Sequence, residues 1–235
     1  SPDRQQALLE RMREHAVDGV IISPTADTPA SFVDDLRGSG VPFVQAVRRL
    51  ALDEADAVAV DSRHGVELVT EHVIKLGHRR IAFVGGEEDM SVTDERQGAF
   101  NDTVARHGLQ ESVRLHPAPS TFQGGVTVVN RLLAQPEPPT AVVCFNDFIA
   151  MGATVAIREK DLAVGRDVSV TGFDNIEQAP LWVPPLTTVE AHAHEAGREA
   201  ARLLVRRIRE PGAAPVRVIL PPQLIVRAST AACRV

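Results

Sequence analysis

Residues 140–188 read TAVVCFNDFIAMGATVAIREKDLAVGRDVSVTGFDNIEQAPLWVPPLTT, and the class of fold follows from how this stretch divides. Two apolar runs, 141–145 and 168–171, each end in a small polar cluster. Asn146-Asp147 follows the first and Gly172-Phe173-Asp174-Asn175 the second. Short apolar runs without alternation suit strands buried on both faces. Between them Ile149, Met151, Val155, Ala156 and Leu162 recur at helical spacing. The stretch predicts strand, helix, strand with a right-handed crossover. In parallel sheets ligands sit beyond the carboxyl ends of the strands, where both polar clusters fall. Asn146 can donate and accept hydrogen bonds, and Asp174 can accept from paired hydroxyls or an amine. The same residues have a purely structural use: Asn146 or Asp147 as the N-cap of the following helix, Asp174-Asn175 as an Asx turn. Both uses stay open from spacing alone.

Working outward, the alternation continues. Upstream, helices are expected over 7–15, 32–36, 66–76, 96–107 and 125–133, and strands over 20–23, 41–44, 57–60, 81–84 and 113–116. Acidic residues 53–56 and polar residues 87–94 read as loops. Downstream, a helix is expected over 192–209, with basic residues in its last turns as the helix dipole favours. Strands over 216–220 and 223–227 flank Pro221-Pro222, which fits a bend or crossing rather than a central strand. Strand and helix in alternation argue for an α/β fold with parallel, doubly wound sheets.

The chain has 235 residues and a formal charge of −6, with pI near 5.8. It therefore carries no basic footprint for nucleic acid. Cys144 falls inside a predicted strand far from Cys233 and reads as a small buried hydrophobe. No apolar stretch reaches the length of a membrane span. The polar opening, residues 1–5, lacks the pattern of a signal peptide, so the cytoplasm is the expected compartment. There is no G-x-G-x-x-G, Walker loop, G-x-S-x-G or C-x-x-C. His192 and His194 are two residues apart and fall on different faces of a helix. No metal site, cofactor or enzymatic activity is expected. Trp182, beside Pro180, Pro184 and Pro185, could pack on a ligand or across a subunit boundary, and packing is the expected role.

Several phrases together resemble the LacI/GalR family of bacterial transcription regulators. They are Val17-Asp18-Gly19-Val20-Ile21-Ile22; Val60-Asp61; Leu76-Gly77-His78-Arg79-Arg80-Ile81-Ala82-Phe83-Val84-Gly85-Gly86; Arg96-Gln97-Gly98-Ala99-Phe100 with Gly108-Leu109; the strand–helix–strand above; and Pro184-Pro185-Leu186-Thr187-Thr188-Val189. Their order and spacing agree over essentially the whole chain. The resemblance implies a two-lobed, periplasmic-binding-protein-like fold whose parallel sheets are joined by three crossovers. The amino-terminal lobe would take 1–60 plus 191–218, and the carboxy-terminal lobe 61–190 plus 219–235. A small-molecule effector, sugar-like, would sit in the cleft between them. By motif, Arg96, Asn146 and Asp174 would hold its polar groups. Phe173, Phe122 and Arg48 would line the cleft, and Asp61 would support it from a crossover.

This chain also departs from the family pattern. Ala99 stands where glycine is usual, Ala191 and Ala193 where larger cleft residues are common, and Arg48 adds positive charge. Family members open with a helix-turn-helix, a hinge helix and a strand–helix–strand, none of which this chain contains. The expectation is a fragment: the sensing core of a homodimeric regulator that reaches operator DNA only through a head absent from this chain. A transport-linked solute-binding protein on the same fold is the alternative.

Overall fold

The computed structural model describes residues 7, 11, 17–24, 28, 30–47, 55–86, 91–110 and 113–234. The helix expected over 7–15 lies outside these apart from two residues. The chain has a two-lobed, periplasmic-binding-protein-like fold with two parallel sheets. The described residues fall into two compact units. One holds those up to Val60, with Ser91 and His192–Leu220; the other holds the remainder from Asp61 to Ala191 and from Pro221 onward.

The smaller unit is built on strands β1 (Val20–Ile22), β2 (Phe43–Ala46), β3 (Asp56–Val60) and β9 (Arg217–Leu220). They pair in that order, all in parallel. The apolar runs follow from burial on both faces. Helix α1 (Ala30–Gly38) sets Phe32 and Leu36 against Val20 and Phe43. Ala196, Ala200 and Leu203 of α6 (Ala193–Arg209) cover Val44, Ala46, Val58 and Leu220. Phe43 and Val44 alternate between these two clusters, so the helices lie on opposite faces of the sheet. The chain changes unit after Leu220, because the register Val60↔Leu220 keeps the whole of β9 in this sheet.

The acidic run 53–56 reads as a loop in the sequence, but Asp56 is the buried first residue of β3. Its carboxylate accepts from Arg207 Nε at 2.7 Å and from the Val216 backbone at 2.7 Å. A paired acid can therefore sit where a lone one would not.

The larger unit has a four-stranded parallel sheet in the order β5-β4-β6-β7. Its strands are Val113–His116 (β5), Ile81–Val84 (β4), Ala141–Cys144 (β6) and Ser169–Thr171 (β7). An antiparallel pair, β8 (Thr188–Glu190) and β10 (Gln223–Ile225), is added to it. Helices α2 (Ser62–Lys75), α3 (Ser91–Arg106), α4 (Phe122–Leu133) and α5 (Asp147–Arg158) connect the strands. Helix α3 begins earlier than the sequence suggests, with Asp94 in a first turn where negative charge is favourable. Helix α4 also begins early, because Thr121 caps it by accepting from Gly124 N. His78 is buried and bonds Thr140 Oγ1 at 3.0 Å, Ser169 Oγ at 3.0 Å and Ala231 O at 3.1 Å. It thereby ties the opening residues of β6 and β7 to the carboxy-terminal tail.

The order of this sheet decides where a ligand can go. From β4 the chain winds outward to β5, then returns to β6 on the other side of β4. The switch point lies between the carboxyl ends of β4 and β6, where open α/β sheets bind ligands. Gly85-Gly86 and Phe145-Asn146 meet there.

Candidate functional site

The site is built from the residues that follow β4, β6 and β7. Gly85 has φ +120° and sits so close to β6 that a Cβ would lie 2.4 Å from Phe145 Cβ. Only glycine fits both the backbone and the space. Phe145 in turn packs against Arg96, in the second turn of α3. Arg96 is 7% exposed. Its guanidinium carbon lies 3.7 Å from the Phe173 ring centroid and 4.6 Å from that of Phe145. Nη1 donates to Phe145 O, and Nη2 is 3.9 Å from Asp174 Oδ1. A planar cation suits this slot because its faces stack while its edges donate.

Asn146 is the N-cap of α5, its Oδ1 accepting from Ile149 N at 2.9 Å. Its Nδ2 lies 3.5 Å from Ser120 O. Capping by Asp147 is a reading the structure overturns. Asp147 is the first residue of α5 and fully buried, and its carboxylate faces the loop after β7. It accepts from Thr188 Oγ1 and from Ile176 N. Gly172 passes so close that a Cβ would lie 2.1 Å from Asp147 Oδ1. Burial pushes the Asp147 carboxyl up to about 7; its two hydrogen bonds pull the other way and the charge on Asp174 adds to the rise.

The loop itself is held from several sides. Asp147 N donates to Phe173 O, and Asp174 N donates to Val189 O. Asn175 donates to Glu190 Oε2 at 2.6 Å and accepts from Arg227 Nη2 at 2.8 Å. Asp174 and Asn175 both have positive φ, 115° and 54°. The result is a carboxylate, Asp174, that is 39% exposed at the side chain beside a nearly buried guanidinium.

Of the residues singled out in the sequence, Arg96, Asn146, Phe173 and Asp174 come together here. Phe173 is 1% exposed and serves as the platform under Arg96 rather than as an open wall. Phe122 opens α4 and turns its ring edgewise to Trp182, centroids 6.4 Å apart. Asp61 caps α2, accepting from His64 N at 2.9 Å. Arg48 lies outside the described residues. Sequence reasoning missed Phe145, Asp147 and Thr188 as parts of the site. The Gly85-Gly86 pair after a buried strand was the signal that backbone and ring must approach closely there.

The arrangement presents hydrogen-bond donors and acceptors for a polar ligand. Among the described residues no group of three or more His, Cys, Asp or Glu is placed to hold a metal. Among them too, no helix is long and apolar enough to cross a membrane. Cys144 is buried and free, and burial raises its thiol above the ordinary range.

Residues 70–230 match the periplasmic binding protein-like domain family. The chain is 31% identical over 233 residues to the HTH-type transcriptional repressor PurR of Actinobacillus pleuropneumoniae serotype 3, covering 97% of this chain and 68% of the relative. A LacI family transcriptional regulator from Enterococcus faecium, solved with bound ribose, superposes with a TM-score of 0.90. It is 28% identical, over 97% of this chain and 85% of that one. The transcriptional regulator CelR in its cellobiose complex gives 0.87 at 31% identity, over 97% and 71%. The first of these is a transcriptional repressor and the other two are transcriptional regulators.

Proposed function

This chain belongs to the LacI family of transcription regulators through its periplasmic-binding-protein-like domain, and on that premise we propose that it senses a small polar metabolite, a sugar or sugar-like molecule, at the carboxyl ends of β4, β6 and β7. The observation that carries this reading is Arg96, packed against two aromatic rings with Asp174 beside it. A carboxylate accepts from two neighbouring hydroxyls, and a fixed guanidinium donates along its edge to ring or hydroxyl oxygens. Because the protein already orders both groups, a ligand meets them with little further loss of freedom. The ribose and cellobiose in two relatives support a hydroxyl-rich ligand.

In this reading the ligand acts on DNA only through its differential affinity for two states of the protein. The operator is read by a helix-turn-helix head outside this chain, consistent with an acidic chain of charge −6. The regulator works in the cytoplasm as a homodimer. Supporting the dimer, Trp182 and its edge-on neighbour Phe122 are flanked by Leu181 and Val183, which are 79% and 68% exposed. These exposed side chains form the face proposed for the contact.

A thermal-shift screen of sugars, sugar acids and nucleosides tests the reading. A ligand at 100 times its dissociation constant adds about 2.7 kcal/mol. Asp174→Ala should abolish the shift that the wild-type chain shows. A hit whose shift survives Asp174→Ala undiminished removes this loop from the site. Gel filtration showing only monomer at micromolar concentration removes the dimer.

A further inference from the structure

The larger unit also has a cavity of about 430 Å³ that begins at the opening residues of β4 and runs along β5 to His116, its last residue. Arg114 and His116 stand two residues apart on β5 and so share a face. The register sets Arg114 against Ala82, whose methyl leaves space that a larger side chain would fill. Helix α4 covers the floor only as far as Leu132, because it stops at Ala134 and the chain turns away through Gln135 and Glu137. Arg80, immediately before β4, closes the other side, and its Nε is tethered to Pro138 O at 3.1 Å.

Charge decides what this cavity can hold. Arg80 and Arg114 line it, and Arg131 stands in the last turn of α4. Among the described residues that line it, the one carboxylate is Glu137, and the end of α4 adds a partial negative charge. Among these groups the balance is positive. The His116 imidazole is held below its ordinary range, first by burial and then by Arg131 and Arg114. It is therefore neutral at pH 7 and able to exchange a hydrogen bond with a ligand oxygen. The volume falls within the range of small-molecule sites. Guanidinium forks match the oxygens of phosphate and carboxylate groups, and a phosphate monoester carries nearly two charges at pH 7.

We propose that this cavity is a second ligand site that takes a small metabolite carrying a phosphate group, held by Arg80, Arg114 and His116. It does not depend on the reading of Arg96 and Asp174. Histidine-resolved NMR of the whole chain tests it, with inorganic phosphate and glycerol 3-phosphate as probes and succinate and chloride at matched ionic strength as comparisons. The expected result is a saturable shift of the His116 resonances with glycerol 3-phosphate and a rise in the pH at which His116 titrates. Arg114→Gln and Arg80→Gln should each weaken this binding about tenfold, and Asp174→Ala should leave it unchanged. Three results overturn the proposal: no response of His116 across the millimolar range, a response to chloride equal to that for phosphate, or equal affinity for succinate. Because Arg80 also braces Pro138, the Arg114 variant decides if the Arg80 variant loses its fold.

Discussion

The guanidinium of Arg96 lies 3.7 Å from the ring centroid of Phe173, so the residue proposed to meet the ligand rests on a buried aromatic ring. Arg96→Lys keeps the charge but loses the planar face and the second donor edge. The expected loss is roughly 1.5–3 kcal/mol of ligand affinity, on the scale of one charged hydrogen bond, together with a lower unliganded melting temperature because the contacts with Phe145 and Phe173 are lost. Calorimetric titration of whichever sugar the screen returns checks this. Equal affinity in the Lys variant would show that stacking and bidentate donation are irrelevant here.

Asp147 gives a pH dependence whose sign is opposite to that of an ordinary ion-paired acid. Its folded pKa, about 7, lies above the unfolded value near 3.8. Between these values the native state binds more protons than the unfolded chain, so this group's contribution falls as pH rises from about 4 to about 7. The two values bound the effect at ~4 kcal/mol, and the amino-terminal end of α5 reduces it by favouring the anion. Asp147→Asn keeps an acceptor for Ile176 N and turns an amide N–H toward the Thr188 hydroxyl, which can accept it, without the charge. The gain in stability of the Asp147→Asn variant over wild type, from urea melts, should therefore be larger at pH 8 than at pH 5. A difference independent of pH would mean that Asp147 is ionised throughout.

How much of this is legible in the sequence depends on the kind of signal. The parallel strands and their polar ends can be read because a buried run such as 141–144 has few other uses. Arg96, Asn146 and Asp174 can be named from motif, and the strand ends place two of them. The partners of Asp147 cannot be read, because Thr188 is 41 residues away and reaches it only through the added β8 strand. Asp56 reads as loop for the same reason. Its partner Arg207 is 151 residues distant, and an acid looks buriable only once its cation is in view. Nor can the ring contact between Phe122 and Trp182 be read, since it forms only in the fold.

His78 works in the opposite direction from Asp147. Burial lowers its pKa, an effect only partly offset by the bond to Ala231 O. The unfolded chain therefore takes up a proton that the native state resists, and stability present above pH 6.5 is lost as pH falls below it. His78→Ala should cost about 2–3 kcal/mol at pH 7.5 by leaving Thr140 and Ser169 without this partner. The deficit should shrink at pH 5.5. Melts of both proteins at the two pH values measure it; a constant deficit would rule out a neutral buried imidazole.

In the smaller unit, Asp56→Ala should destabilise by roughly 3–5 kcal/mol, because it strands a largely buried Arg207. Arg207 keeps its bonds to Pro211 O and Ala213 O, which places the effect toward the lower end. Asp56→Asn should cost less, since an amide oxygen can still accept from Val216 N. Chemical denaturation ranks the three proteins, and an Asn variant as unstable as the Ala one would contradict this order.

Gly85→Ala joins backbone and ligand in one substitution. At φ +120° an L-residue is strained, and the new methyl would meet Phe145 Cβ at 2.4 Å, with Ile149 Cδ1 at 2.6 Å. Ile149 Cδ1 is the flexible end of a side chain and can move aside. Phe145 Cβ is anchored to β6 and cannot move without shifting the carbonyl that Arg96 Nη1 bonds. The expected outcome is a loss of stability of about 1–3 kcal/mol together with a loss of ligand binding larger than that of a core variant equally destabilised elsewhere. Val142→Ala in the middle of β6 supplies that comparison, being fully buried and away from Arg96. If the two variants bind ligand equally well at equal stability, the contact between the β4 and β6 ends does not set the position of Arg96.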